Sequence, residues 1–382
     1  MAALPLEGVV VVDLSRVLAG PLCTMLLGDL GADVIKVEHP ERGDDTREWG
    51  VPVEPGETSY YFAFNRNKRS ITLDLSTPEG VESVRKLCAS ADVVVENFKT
   101  GGMERFGLGA DALRRINPRL IYCSISGYGR LGEEAPRPGY DLVIQGEAGL
   151  MGLNGEAGRP PLKFGVAVVD LFTGMAANQA ILAALYQREK TGEGRRVDLA
   201  LYDCGVMLTA YYGMEALMLG EDPPRYGNSH PSVVPYGVFD ARDGPMVITV
   251  GNDRQFRSLC NAVLERADLA DDPRFATNGL RTRNREALLI ALSEALRRHD
   301  RAWLLARLAA EGVPCGEVFG AHEALTSPRT QRSGMVSEWE HASGARLPLI
   351  GPPWRFDNER PPVRSPPTLG EHDAEIKARF GL

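Results

Sequence analysis

Apolar and polar positions follow one another along this chain in blocks that read strand, helix, strand. Residues 9–14 are a short continuous apolar run, the kind that forms a strand buried on both faces. Gly20-Pro21 opens a helix reaching about Leu30, with proline in its first turn. Gly31 ends that helix, and residues 33–38 read as the next strand. The pattern then repeats. Thr77 is set to cap a helix that has Pro78 first and runs to about Ser90. A strand over 92–95 leads into Glu96-Asn97-Phe98, a helix near 110–116 follows, and another strand covers 120–124. The loop 127–139 is long and rich in Gly, Pro and charge, which marks it as a binding loop. Residues 174–189 carry a long helical pattern closed by the turn 191–194, and residues near 198–219 read as helical again.

The texture changes at about residue 223. Pro223-Pro224 begins an irregular stretch, strands are expected around 236–250, and helices around 253–265, 284–298 and 301–310. Asp300 stands at the N-cap of the last helix, with Gly312 and Pro314 beyond its end. The alternation places the protein in the α/β class. It divides into a large domain over 1–224, a smaller α+β domain over 225–325 and a C-terminal segment, 326–382, that returns to the large domain. The proline-rich tail (Pro352, Pro353, Pro361, Pro362, Pro366, Pro367) is expected to run extended over a surface.

The 382 residues are 43% hydrophobic, enough for a sizeable core. A net charge of -8 without a basic run argues against nucleic acid as a partner. The local cluster Arg66, Lys68 and Arg69 reads as a solvated turn. Six scattered cysteines without C-x-x-C spacing read as small core residues in a reducing compartment. The six histidines lack ligand spacing, so no metal is expected. The N-terminus lacks the basic stretch of a signal peptide, and apolar stretches elsewhere are interrupted at Asp170, Asn178 or Glu215. No membrane is expected, and the location reads as cytoplasmic, or the mitochondrial matrix in a eukaryote. The first strand–helix turn, S-R-V-L-A-G-P, lacks the G-x-G-x-x-G of a dinucleotide site.

Residues 161–174 read PLKFGVAVVDLFTG, an apolar run ending in one carboxylate, Asp170, before a helix. Spacing alone favours Asp170 as the cap of that helix over a nucleophile at its mouth. Its company changes the balance. LSRVLAGP (14–21), GDLGADVIKVEHPERGDDTR (28–47), NRNKRSITLDL (65–75), DVVVENF (92–98), SISGYG (124–129), RPGYD (137–141), REKTGEGRRVD (188–198), GNSHPSVVPY (227–236), DGPMVITVGND (243–253) and GVPCGEV (312–318) follow in order. With Asp170 and Thr173-Gly174, these segments resemble the class III coenzyme A transferases of the CaiB/BaiF type over nearly the whole length. The later segments are most similar to the branch that acts on succinate with hydroxymethylglutarate or glutarate.

The resemblance implies a Rossmann-like large domain and an interlaced homodimer. It implies coenzyme A and acyl-CoA as substrates, with no permanently bound cofactor. Asp170 would attack an acyl-CoA thioester, giving an anhydride and then an aspartyl-CoA thioester, and a C4–C6 dicarboxylate such as glutarate or itaconate would accept the coenzyme, with succinyl-CoA as donor. An ordinary aspartate is ionised at neutral pH and suited to that attack, with backbone donors at the oxyanion, for which the glycine turn at Gly251 is a candidate. Positions matching the family's coenzyme contacts are Leu18, Ala19, His39, Leu73, Asp74, Leu75, Ser76, Asn97, Phe98, Lys99, Arg105, Arg137, Tyr140 and Asp141. Arg16, Arg47, Tyr140 and His230 are candidates for holding the acid. Formyl-CoA transferases carry Gln where this chain has Leu18, which argues against oxalate or formate chemistry, and Arg where it has His39, which leaves that phosphate contact open. Two rivals stay open. One is an acyl-CoA racemase or epimerase, although Tyr140 stands where racemases carry their histidine. The other is a non-catalytic acyl-CoA-binding paralogue.

Overall fold

Six parallel strands order the larger part of the chain: β1 (Val10–Asp13), β2 (Asp33–Glu38), β3 (Lys68–Thr72), β4 (Val93–Glu96), β5 (Ile121–Ser126) and β6 (Arg196–Ala200). They lie in the order β3-β2-β1-β4-β5-β6. The chain was analysed as a computed structural model, described over residues 3–54, 57–342 and 344–382. Contacts divide it into two units. One holds the residues up to Met151 with Lys163–Met218 and Pro328–Leu382, and the other holds Gly152–Leu162 and Leu219–Ser327.

The sheet is apolar on both faces because its strands alternate apolar with apolar. Val11, Val34, Val93 and Ile121 enter one core with α1 (Ala19–Asp29) and the long helix α5 (Val168–Thr191). Val10, Val12, Ile35, Val94 and Tyr122 enter the other, with α2 (Pro78–Ser90) and α3 (Ala110–Ile116). Each fully buried Val or Ile is worth about 1.5–3 kcal/mol, so a charge at Val11 or Val94 would unseat a central strand. Thr77 caps α2 as expected, its Oγ1 accepting from the Gly80 N–H at 3.1 Å.

Three expectations are corrected. Residues 196–200 form β6 rather than helix, because Val197 and Leu199 alternate toward the core while Arg196 and Asp198 pair with each other outside. The helix expected from residue 174 begins at Val168, and neither Asp170 nor Asn178 interrupts it. By length and composition it could cross a membrane. Here its Ala177, Ile181, Ala184 and Leu185 lie in the protein core. Gly174 permits its crossing with α1, since a Cβ there would fall 2.6 Å from the Ala19 carbonyl.

The third correction concerns Arg66, Lys68 and Arg69, which are buried rather than solvated. Each has a carboxylate: Arg66 with Asp29, Lys68 with Asp13 at 3.0 Å, Arg69 with Asp33. They sit beside the sheet interior, where only a paired charge is tolerated. Burial draws the Lys68 ammonium down to about 8 despite Asp13. Burial would raise the Asp13 carboxyl, but Lys68 and Lys36 bring it to about 2.

The tail runs along the β3 edge. Arg364 and Asn67 exchange hydrogen bonds, and the last helix, Asp373–Phe380, buries Ile376 in the second core. The second unit is built on an antiparallel sheet of Tyr236–Ala241, Gly244–Thr249 and Cys315–Glu317, with a core that includes Met246, Phe256, Leu292 and Leu304. Asp300 occupies the N-cap position of the helix Arg301–Ala310, but its carboxylate is engaged by Arg242. All six cysteines are free thiols. Among the described residues no three His, Cys, Asp or Glu side chains are grouped to hold a metal.

Candidate active site

Asp170 lies in the first turn of α5, between Val169 in the sheet core and Leu171 in a separate apolar cluster. That cluster gathers Leu18, Leu22, Met25 and Leu26 of α1 and its entry with Tyr60, Phe64, Ala167 and Trp354. No residue of α5 caps its own start. The cap is Asp141, the first residue of α4 (Asp141–Glu147), whose Oδ1 accepts from the N–H groups of Val169 at 2.9 Å and Asp170 at 3.3 Å. Gln145, fully buried, donates to the other Asp141 oxygen at 2.6 Å and accepts from the Phe164 N–H at 2.9 Å. The segment entering α5 is therefore tied to the start of α4. Asp141, expected as a coenzyme contact, anchors the Asp170 helix. Asp170 itself, read from spacing as a cap, is left with its carboxylate unspoken for by that role.

The electrostatics follow from this arrangement. Burial, and then the charge of Asp141, push the Asp170 carboxyl up to about 7. The sequence expectation of a fully ionised aspartate at neutral pH is corrected accordingly. Tyr60 shares the neighbourhood. Burial, and then the charges of Asp170 and Asp141, push its phenol up to about 12.

The position of Asp141 is set by two glycines. Gly127 and Gly139 cross backbone to backbone, and a Cβ on Gly139 would fall 2.6 Å from the Gly127 Cα. Tyr140 next to it is 65% exposed. Arg137, exposed in the same loop, is bound by Glu134 and Glu147 and lies 4.3 Å from the centre of the Tyr128 ring. Its charge is already balanced at the surface.

A cleft of about 500 Å³ opens at the carboxyl ends of β1–β4. Its walls bring together His39, Leu73, Asp74, Leu75, Ser76 and Phe98 from the expected coenzyme contacts. Asn97 supports the wall, since its amide donates to the Arg16 carbonyl at 2.8 Å and accepts from the Arg16 N–H at 2.9 Å. Leu18 and Ala19 are buried in the clusters at the start of α1, while Lys99 and Arg105 are exposed and do not line the cleft.

The candidates for the acid pocket, Arg16, Arg47 and His230, fall in different settings. Arg16 opens into this cleft, beside the expected coenzyme contacts. Arg47 is buried, donating Nε and Nη2 to the two oxygens of Glu38 at 2.8 Å each, with Glu57 at 3.6 Å and the Tyr61 ring centre at 3.7 Å. Such a guanidinium is structural. His230 lies in the second unit, its Nδ1 accepting from the N–H groups of Ser232 and Val233, both at 3.1 Å.

Sequence reasoning missed Tyr60, Gln145 and Asp44. Asp44 accepts from Lys36 at 2.8 Å, from Thr46 and from the Val17 N–H, and so fixes the turn after β1. Val17 there adopts φ 73°, a left-handed conformation that a β-branched residue rarely takes. No local motif signals such a residue, because its partners come from a separate loop.

Comparison with known proteins agrees with this geometry. The family description CoA-transferase family III matches residues 6–373. A succinate–glutarate CoA-transferase of Agrobacterium fabrum (strain C58) is 43% identical, covering 98% of this chain and 96% of its own. A human succinyl-CoA:glutarate CoA-transferase is 40% identical, covering 97% and 85%. The crystal structure of a CaiB/BaiF family protein from Brucella suis superposes with a TM-score of 0.88 at 46% identity, covering 99% of this chain and 100% of that one. With a match that spans the parallel sheet, the cleft and Asp170 alike, the chain belongs to CoA-transferase family III.

Proposed function

We propose that this enzyme moves coenzyme A from succinyl-CoA to a C4–C6 dicarboxylate such as glutarate or itaconate, with Asp170 as the covalent carrier. The observation that supports the mechanism best is the setting of Asp170: a carboxyl in an apolar wall, raised to about 7 by burial and by Asp141. A desolvated carboxylate is a stronger nucleophile than one in water. It attacks the thioester carbonyl, forming a mixed anhydride and expelling the CoA thiolate. The thiolate attacks the aspartyl carbonyl of the anhydride, which releases the donor acid and leaves aspartyl-CoA. The acceptor carboxylate then attacks that thioester, expels the thiolate again and forms a second anhydride. Attack of the thiolate on the acceptor's acyl carbon releases the new acyl-CoA and returns Asp170 as a carboxylate.

A racemase needs a proton carrier matched to neutral pH. The titrating neighbours named here are Asp141, engaged as a cap, and Tyr60, with its phenol at about 12. Asp170 alone could carry a proton near neutral pH, and the histidine that racemases pair with it is replaced here by Tyr140, which speaks against racemisation. The cleft at the strand ends offers the coenzyme a partly apolar slot in Leu14, Leu73, Leu75, Phe98 and Phe106. Dicarboxylates as substrates rest on the two glutarate-type relatives, each at least 40% identical.

Mass spectrometry tests both parts. After incubation with succinyl-CoA and hydroxylamine, the Asp170 peptide should carry a hydroxamate, and Asp170→Ala should show neither label nor exchange. Substantial exchange by Asp170→Ala would sink the mechanism. In a panel of acceptors, glutarate should exceed butyrate by orders of magnitude in specificity constant. Equal use of the two would refute the dicarboxylate assignment while leaving the Asp170 chemistry standing.

A further inference from the structure

We infer that Arg16 is a ligand for a phosphate of the coenzyme's nucleotide, parked on Asp45 until the nucleotide enters. The inference rests on the reading of the strand-end cleft as the coenzyme site and adds a residue to it. Arg16 follows β1, and the cleft lies where β1 and β4 stand side by side while their connections leave in opposite directions. In open α/β sheets that switch point is where nucleotides bind.

The main chain of Arg16 cannot move far. Asn97 holds both its N–H and its carbonyl, and the next N–H, that of Val17, is held by the Asp44 carboxylate at 3.3 Å. The side chain is different. Its Nη1 lies 3.2 Å from Asp45 Oδ2, and the two side chains are 53% and 47% exposed. An exposed pair of this kind is weakly held. The guanidinium carbon stands 5.9 Å from the centre of the Phe98 ring, on the wall of the same cleft.

The charge balance of the cleft gives Arg16 its role. Four carboxylates line it: Glu38, Asp44, Asp45 and Asp74. Glu38 is neutralised by Arg47 and Asp44 by Lys36, both in buried pairs. Those two cations are locked. His39 has its Nδ1 occupied by the Glu41 N–H at 3.2 Å. Arg16 and the exposed Arg42 are the cations that remain on the lining, and Arg16 can exchange its exposed carboxylate for a phosphate, presenting a planar fork that suits two phosphate oxygens. Asp45 then acts against nucleotide binding, both by repulsion and by competing for Arg16.

The test is calorimetric titration of the full chain with adenosine 3′,5′-bisphosphate and with ADP. Arg16→Met should weaken binding roughly 10–100-fold, the worth of a charged hydrogen bond. Asp45→Asn should tighten it about 2–5-fold, since only an exposed pair is removed. A purely structural role for Arg16 would not produce that opposite sign. Loss confined to the bisphosphate would identify the 3′-phosphate as the contact, and loss of both would identify the diphosphate; either supports the inference. Unchanged nucleotide binding in Arg16→Met, with normal binding by the wild type, would overturn it and leave the cleft as the coenzyme site. Failure of the wild type to bind either nucleotide would overturn the cleft assignment and the inference together.

Discussion

Asp141 accepts a hydrogen bond from the backbone N–H of Asp170 at 3.3 Å and at the same time raises the pKa of the Asp170 carboxyl. One carboxylate thus anchors the helix that carries the proposed nucleophile and makes its carboxyl more basic. The two effects separate chemically, because an asparagine oxygen can accept the two backbone hydrogen bonds without the charge, while its amide gives up only the bond from Gln145.

Asp141→Asn should therefore keep the fold and move the acid limb of the rate profile. In the wild type, kcat/KM should rise with pH through about 7, as Asp170 loses its proton. At pH 6 only about a tenth of the enzyme is then in the reactive form. In Asp141→Asn the limb should shift to lower pH, with a higher fraction of full activity at pH 6. Asp141→Ala also loses the cap and should cost about 1 kcal/mol in stability. A limb that stays in place in Asp141→Asn would refute the electrostatic link.

Asp170→Asn should be more stable than the wild type, and only above mildly acidic pH. The folded carboxyl is raised from 3.8 to about 7, so the folded state holds the proton more tightly than the unfolded one. Below about pH 4 both states are protonated and the aspartate costs nothing extra. Between about 4 and 7 the penalty grows, and above about 7 it is complete, on the order of 2 kcal/mol after allowance for partial exposure. Thermal melts at pH 8 and pH 4.5 check this. A variant equally stabilised at both values would contradict the assignment.

Arg47→Met should cost stability and leave substrate preference unchanged. Removing Arg47 strands the buried Glu38, while Glu57 keeps His341 at 2.8 Å, and breaking such a buried pair costs about 3–5 kcal/mol. Denaturant unfolding should show the loss. Any protein that still folds should keep its ratio of glutarate to butyrate use. A collapse of that ratio with stability intact would restore Arg47 to the acid pocket.

The reach of the sequence divides along the same line as these side chains. The strands β1, β2, β4 and β5 and the helices Pro78–Ser90, Ala110–Ile116 and Arg301–Ala310 were legible because their signals are local: apolar runs, a threonine cap, proline first, glycine after, whereas β3 was hidden by its charged start, Lys68-Arg69. The family was legible through the ordered motifs that surround Asp170. The roles of Arg47, Lys68 and Asp141 were not. Each is decided by a partner 9, 55 or 28 residues away, Glu38 or Asp13 or the start of α5, which spacing along the chain does not reveal. The strand β6 was lost for a simpler reason. Its five residues run directly into the helix Leu201–Leu208, and the apolar pattern of the two elements merges.

The last prediction concerns association. The helix Ala210–Leu219 buries none of its residues. Met207, Leu217 and Met218 are 71%, 80% and 80% exposed, and Tyr211 and Met214 lie largely open beside them. An exposed apolar face of this kind marks a surface that another protein covers. Family resemblance led to the expectation of a homodimer, and a self-complementary pair is the commonest way to cover such a face. Light scattering at micromolar concentration should give twice the chain mass of 41.6 kDa. Leu217→Glu with Met218→Glu places two like charges on the face and should shift the protein toward monomer, with loss of transferase activity if the pairing supports the site. A wild type that scatters as a monomer at all concentrations would show that this face is covered by some other partner.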